Sequence, residues 1–338
     1  MRAGTVALAA LGIALLLPQA ASAAPTPVKD NGVNLNIPWA IGGLRIERDG
    51  TKRVHPGEWP TVPVASVRIW DARTAWLNIE PANDQWDFTR LDAFVEKAEA
   101  KGVKNILMTL GGTPMWAAKQ QKATDAPWLG KGSASPPKRW ADWAEFVQKV
   151  AQRYQGRIHG YEIWNEPNSL TYWSGSNEEW SELTGIASRE IAKADPEAQI
   201  VIGAFATSPT KTLNKIAPML DALKPQEATA TPTAISIHWY PTRKNLPAGV
   251  SAIATQVRQA AEKAGIKNLP LWITEMNLRD GASLSAKNQQ AAMQSMTDSA
   301  SAGGIQRSWW YAWTDLGPNN LIQIYEGTPA ARWLRSIA

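Results

Sequence analysis

An α/β fold, a single (β/α)8 barrel of the TIM type, is predicted for this 338-residue chain by three features. Short apolar runs alternate with amphipathic helical stripes over about 300 residues, as repeated βα units do. No Pro- or Ser-rich linker breaks the series. An open doubly wound sheet would carry a Gly-x-Gly-x-x-Gly turn near its start, and the chain has none; Gly111-Gly112 is too short to count.

The elements follow in order. A first strand is predicted at 32–36, then a second at 64–70. Leu91, Phe94, Val95 and Ala98 come next, an i, i+3, i+4, i+7 stripe stopped by Gly102, which marks a helix. A third strand at 105–110 precedes Trp140, Trp143, Ala144, Val147 and Ala151, one helical face ending at Gly156. The fourth strand, 158–164, leads to a helix carrying Trp180, Leu183, Ala187 and Ile191. Strands at 200–203, 234–238, 271–274 and 308–313 complete eight, with helices near 211–223, 250–264, 286–302 and 328–337. The longer returns, about 37–63, 111–139 and 167–177, would form the C-terminal rim, where such barrels keep their chemistry.

Ahead of the barrel stand Arg2, an apolar stretch over residues 6–17 and the small-x-small site Ala21-Ser22-Ala23. This pattern predicts a secretion signal, residues 1–23, cleaved after Ala23, with 24–338 as the barrel domain and a secreted or periplasmic location. The apolar run is too short for comfortable spanning of a bilayer, so no stable membrane insertion is expected.

Composition narrows the function. The net charge is +5 and spreads without a long basic run, which suits a soluble basic surface better than a nucleic-acid partner. With no cysteine, disulfides and thiolate nucleophiles are excluded. Three histidines, His55, His159 and His238, lie too far apart in sequence for zinc-ligand spacing, so no metal or other cofactor is expected. Eighteen tryptophans are roughly four times ordinary usage, and flat rings suit a groove that stacks sugar faces.

The chemistry concentrates at two strand tips. Glu166 lies in Trp164-Asn165-Glu166-Pro167-Asn168 and Glu275 in Leu271-Trp272-Ile273-Thr274-Glu275, each just past a buried-looking run. Two such carboxylates are what hydrolysis of a glycosidic bond requires; about 5 Å between them allows double displacement, about 6.5–9.5 Å leaves room for an inverting water. Period-2 alternation puts Ser236, His238 and Tyr240 on one face, Glu162, Trp164 and Glu166 on another, and Ser66, Arg68 and Trp70 on a third. In the seventh strand it groups Leu271, Ile273 and Glu275, leaving Trp272 under the helices. An unpaired buried charge is too expensive to keep, so Arg68 is expected to pair with Glu162. Trp70, Trp116 and Trp173 sit at strand ends or in rim loops, where they line a groove or simply pack.

Trp164-Asn165-Glu166-Pro167 with a second strand-tip glutamate resembles the clan A retaining glycoside hydrolases on (β/α)8 barrels. The Ser236-x-His238-x-Tyr240 tip and Val67-Arg68-Ile69-Trp70-Asp71 are most similar to its family 39 branch of xylosidases, iduronidases and exopolysaccharide endoglycosidases. The resemblance spans roughly residues 30–338. It implies Glu166 as general acid/base, Glu275 as nucleophile and Asn165 as partner of the sugar hydroxyl beside the reacting carbon. It further implies that Tyr240 orients Glu275, that His238 and Arg68 support the two carboxylates, and that Trp313 floors the −1 sugar. Exo-acting xylosidases of the branch usually carry an added β-sandwich, whereas this chain stops after its eighth helix; endo attack on a β-linked polysaccharide or oligosaccharide is the expectation. A transglycosylase using the same pair, or a silent carbohydrate-binding barrel, remains the alternative.

Overall fold

The computed structural model describes residues 30–35, 43–46, 52–55, 59–70, 72–120, 126, 129–207, 212–223, 230–313 and 320–337, the first three stretches as backbone only. The expected signal segment, 1–23, lies outside the described residues.

Strand β1 (Asp30–Leu35) is followed by an antiparallel hairpin, β2 (Gly43–Ile46) and β3 (Lys52–His55), within the first rim return. Then come β4 (Ser66–Ile69), the short α1 (Trp76–Ile79), α2 (Thr89–Ala100), β5 (Asn105–Leu110) and α3 (Trp140–Arg153). The chain continues through β6 (Gly160–Ile163), α4 (Asn177–Ala194), β7 (Gln199–Ala206), α5 (Thr212–Asp221) and β8 (Ala234–Trp239). It ends with α6 (Ser251–Lys263), β9 (Leu271–Met276), α7 (Ala286–Ala302), β10 (Ile305–Trp310) and α8 (Pro329–Ile337). Eight parallel strands form one closed barrel in sequential order, β1 pairing with β4 on one side and β10 on the other. All eight predicted strands are present; the last begins three residues earlier and ends three residues earlier than its apolar run suggests.

The helices arise from the stripes that predict them. Leu91, Phe94, Val95 and Ala98 are the buried residues of α2, which stops before Gly102 at φ 71°, a left-handed backbone that glycine adopts freely. Helix α4 starts on a capping box: Ser176 Oγ accepts from Glu179 N while the Glu179 carboxylate accepts from Ser176 N, satisfying two donors that a helix start leaves open. Among the described residues no helix is long and apolar enough to cross a membrane.

Among the described residues, apolar side chains form two cores. The larger lies between strands and helices and includes Leu271 and Ile273 together with Val257 of α6 and Met293 of α7. A smaller one, Leu107, Val201, Ala234, Trp272 and Trp309, comes from five strands and fills the barrel axis. Trp272 and Trp309 meet at 5.7 Å, and Trp309 Nε1 donates to Ser66 Oγ at 2.9 Å. This reverses the alternation assigned to the seventh strand: Trp272 faces inward, while Leu271 and Ile273 face the helices. The cause is a register shift. Ile237 pairs with Ile273 but His238 pairs with Glu275, so Thr274 is an extra residue on β9. Such a bulge flips the pleat and re-aims the next side chain, which is how Glu275 reaches the interior.

Candidate active site

Above the apolar plug lies a polar layer that converges on the two strand-tip acids. Glu166 leaves the end of β6 through a strained turn: Trp164 has φ 71° and Glu166 φ 44°, both in the left-handed region that side chains with a Cβ rarely occupy. Surrounding bonds hold that conformation. Trp164 N donates to Leu110 O at 2.8 Å, and Trp164 Nε1 to Tyr172 O at 2.7 Å. Glu166 N donates to Ala204 O at 3.1 Å, and the Asn168 amide pairs with both Ala206 N and Ala206 O at 3.0 and 2.8 Å. Strain persists where its surroundings over-determine it. The turn throws the Trp164 ring out of the barrel, edge-on to Trp173 at 5.0 Å and Trp143 at 6.1 Å. Trp164 therefore does not share the inner face with Glu162 and Glu166, contrary to simple alternation.

The acceptor for Glu166 N depends on a second bulge. Strand β7 shifts register between Ile202 and Phe205, across Gly203 at φ 119° and Ala204 at φ 45°. Ala204 N takes Ser236 Oγ at 2.7 Å. The backbone of β7 comes so close to β8 here that a Cβ on Gly203 would lie 2.5 Å from Ser236 O.

Around Glu275 the contacts are short and charged. Arg68 NH1 donates to Oε1 at 2.7 Å and Tyr240 OH to Oε2 at 2.6 Å. His238 Nδ1 lies 2.9 Å from Glu166 Oε1 and 3.3 Å from Glu275 Oε2, so the ring stands between the two acids. One oxygen of each glutamate and a ring nitrogen of His238 all fall within 4.8 Å of one another. Glu275 keeps 8% of its side chain exposed and Glu166 19%, which puts Glu166 nearer to solvent. Arg68 NH2 also donates to Asn165 Oδ1 at 2.9 Å, which turns the Asn165 NH2 group away from the guanidinium.

The electrostatics follow from burial opposed by partners. Burial works against a charged His238, but Glu275 and Glu166 outweigh it and the ring's pKa rises above its ordinary value. They do so although its Nε2 is buried with no protein partner. Burial raises the Tyr240 hydroxyl well above the usual tyrosine value, and the adjacent Glu275 charge adds to this, so the phenol is a fixed donor. Burial also penalises the Glu162 carboxylate, yet Arg68, the His238 charge, Thr274 and Ser236 hold it below the ordinary glutamate value.

Glu166, His238 and Glu275 are, among the described residues, the one set whose spacing could hold a metal ion. The Arg68 guanidinium, 2.7 Å from Glu275, already supplies the positive charge there and repels a second cation.

Sequence-expected residues thus meet at one place: Glu166, Glu275, Asn165, Tyr240, His238 and Arg68, with Arg68 also on Glu162 as expected. Trp313 follows β10, is buried and pairs in a parallel bridge with Ile324. The contacts of Trp116 run elsewhere: its ring is edge-on to Trp76 at 6.2 Å and its Nε1 donates to Glu80 O at 3.0 Å. Trp173 packs with Trp164 as core. Residue-by-residue reading missed Asn277, two positions past Glu275. Its buried amide donates to Tyr311 O and Ile322 O and accepts from Leu278 N and Ile322 N, tying down both ends of the return that contains Trp313. A lone asparagine after a strand gives no periodic signal.

Paired carboxyls at strand ends of a parallel barrel, held by arginine, tyrosine and histidine, define the class of barrel glycoside hydrolases. The family model "Cellulase (glycosyl hydrolase family 5)" matches residues 65–316, and the chain belongs to that family. Family 5 lies in the clan that the Asn-Glu-Pro motif resembles. A β-xylosidase of Caldicellulosiruptor saccharolyticus is 28% identical over 166 residues, 44% of this chain and 32% of that protein. Endo-1,4-beta-xylanase 4 of Arabidopsis thaliana is 22% identical over 60% of this chain and 34% of its own. The chain thus spans about a third of the length of these curated relatives. In fold it is similar to the GH39 enzyme from Xanthomonas axonopodis pv. citri, with TM-score 0.66 at 20% identity, covering 93% of this chain and 67% of that one.

Proposed function

We propose that this protein is a retaining glycoside hydrolase that cleaves β-linked xylan or xylo-oligosaccharides within the chain, and that it works outside the cytoplasm. The observation that carries the reaction type is the approach of the Glu166 and Glu275 oxygens to within 4.8 Å. At that separation a sugar ring fits between the acids but an additional water does not, which favours double displacement over inversion. The names of the relatives, β-xylosidase and endo-xylanase, support the substrate class. The apolar stretch and Ala21-Ser22-Ala23 support export.

In the first step Glu275 attacks the anomeric carbon, the glycosidic C–O bond breaks, and the leaving oxygen takes the proton of Glu166. In the second, water attacks the glycosyl ester, gives its proton to Glu166 and restores the Glu275 carboxylate. The greater exposure of Glu166 suits the group that must meet that water. Arg68 and Tyr240 keep Glu275 aimed, since both donate to its oxygens. His238 orients Glu166. The Asn165 NH2, turned outward by Arg68, serves the hydroxyl next to the reacting carbon, and Trp313 floors the −1 sugar.

Two variants test the assignment. Glu275→Gln should lower turnover at least about a thousandfold while xylo-oligosaccharide binding persists; full residual activity removes Glu275 from the mechanism. Glu166→Ala should cleave only activated aryl glycosides, accelerate with azide and yield a β-glycosyl azide; no rescue removes Glu166 as acid/base. A product ladder of oligomers from xylan supports internal attack, whereas single xylose units from chain ends overturn it.

A further inference from the structure

Beneath the carboxylate pair lies a third buried acid to which double displacement gives no task. Glu162 on β6 is fully buried. Its Oε2 accepts from Arg68 Nε at 2.8 Å and Thr109 Oγ1 at 2.8 Å, with Arg68 NH2 at 2.6 Å; its Oε1 accepts from Ser236 Oγ at 2.7 Å. Thr274, the bulged residue beside Glu275, helps to stabilise the charge on Glu162. The same guanidinium reaches Glu275 through NH1 at 2.7 Å and Asn165 through NH2 at 2.9 Å. One buried cation therefore joins two carboxylates, one walled in and one that reacts.

The charge on Glu275 changes during the reaction. When its oxygen bonds to the anomeric carbon and the leaving oxygen takes the Glu166 proton, the negative charge passes from Glu275 to Glu166. Arg68 then touches an ester. A buried cation stripped of its anion is strongly disfavoured, so Arg68 with Glu275 as sole partner would favour the free carboxylate over the ester and retard the first step. We propose that Glu162 is a positioning residue that acts as the permanent counter-ion of Arg68, keeping the guanidinium neutralised and in place while Glu275 is esterified. The proposal rests on the double-displacement reading. Glu162 is fully buried, out of reach of substrate, and acts only through Arg68.

Glu162→Gln preserves shape and removes the charge. With 2,4-dinitrophenyl β-xylobioside the first step should slow about tenfold or more while the second does not, so the pre-steady-state burst disappears. Glu162→Asp, which keeps the charge, should recover the burst. Equal slowing of both steps, or a burst as absent in the Asp variant as in the Gln variant, overturns the proposal. A measurement on the wild-type protein covers failure of the Gln variant to fold. In the ester trapped with a 2-deoxy-2-fluoro xylobioside, Arg68 should stay within hydrogen-bond distance of Glu162; a guanidinium that has left Glu162 overturns the proposal. Absence of any Glu275-linked adduct in the wild type is a separate result, which sinks double displacement itself and this proposal with it.

Discussion

Tyr240 and Arg68 hold opposite oxygens of Glu275, and the consequences of losing each differ. Tyr240→Phe removes a neutral donor whose hydroxyl stays protonated across the working range, because burial and the Glu275 charge hold its pKa well above normal. The ring remains packed against Tyr311 at 6.1 Å, so the fold should be unaffected. Deleting a hydrogen bond to a charged group is worth about 1.5–3 kcal/mol, or roughly 10- to 150-fold in kcat/KM. Unchanged kcat/KM in Tyr240→Phe rejects a functional role for this bond. At this scale the Arg68–Glu162 pair was legible in sequence, because a buried cation demands an anion. The reach of one guanidinium to Glu162, Glu275 and Asn165 together was not, since strand periodicity gives a side chain's face and says nothing of its forked geometry.

Strands and helices were legible nearly throughout, because amphipathic stripes ending at glycine and short apolar runs report directly which surfaces are buried. Irregular elements were not. The bulge at Thr274 and that at Gly203-Ala204 break the period-2 rule on which the inward and outward assignments relied, which is why Trp272 and Leu271 exchanged sides. The hairpin β2–β3 was read as part of a rim return, its strands being only four residues each. The bulges also make a prediction. Gly203 has φ 119° and its absent Cβ would lie 2.5 Å from backbone oxygen of Ser236, so Gly203→Ala forces β7 from β8. It should lower stability by about 2–4 kcal/mol in chemical denaturation. Because Ala204 O caps Glu166 N, surviving folded protein should lose kcat more than it raises KM. A variant as stable and active as wild type denies that this bulge shapes the site.

Two charges buried on the barrel axis couple the stability of the whole molecule to pH. Its surface ion pairs, such as Arg157–Glu99 and Arg153–Asp92, are exposed and weak contributors. Glu162 and His238 are buried and shifted in opposite senses. Glu162 has a folded pKa below its ordinary 4.5, so its contribution to stability is present above 4.5 and disappears as pH falls through the depressed value. His238 has a folded pKa above its ordinary 6.5, so its contribution is complete below 6.5 and disappears as pH rises through the raised value. Both contributions are therefore complete only between about pH 4.5 and 6.5, where the melting temperature should peak. His238→Gln should flatten the alkaline flank of that curve and leave the acid flank, whereas Glu162→Gln should flatten the acid flank alone. Scanning calorimetry from pH 3 to 9 in steps of about half a unit separates the two flanks, since one group shifts down from 4.5 and the other up from 6.5. A wild-type curve that keeps rising through pH 8 means that His238 folds as a neutral ring. In that case its contact with Glu166 is a hydrogen bond between an imidazole N–H and a carboxylate, carrying no net cation between the two acids.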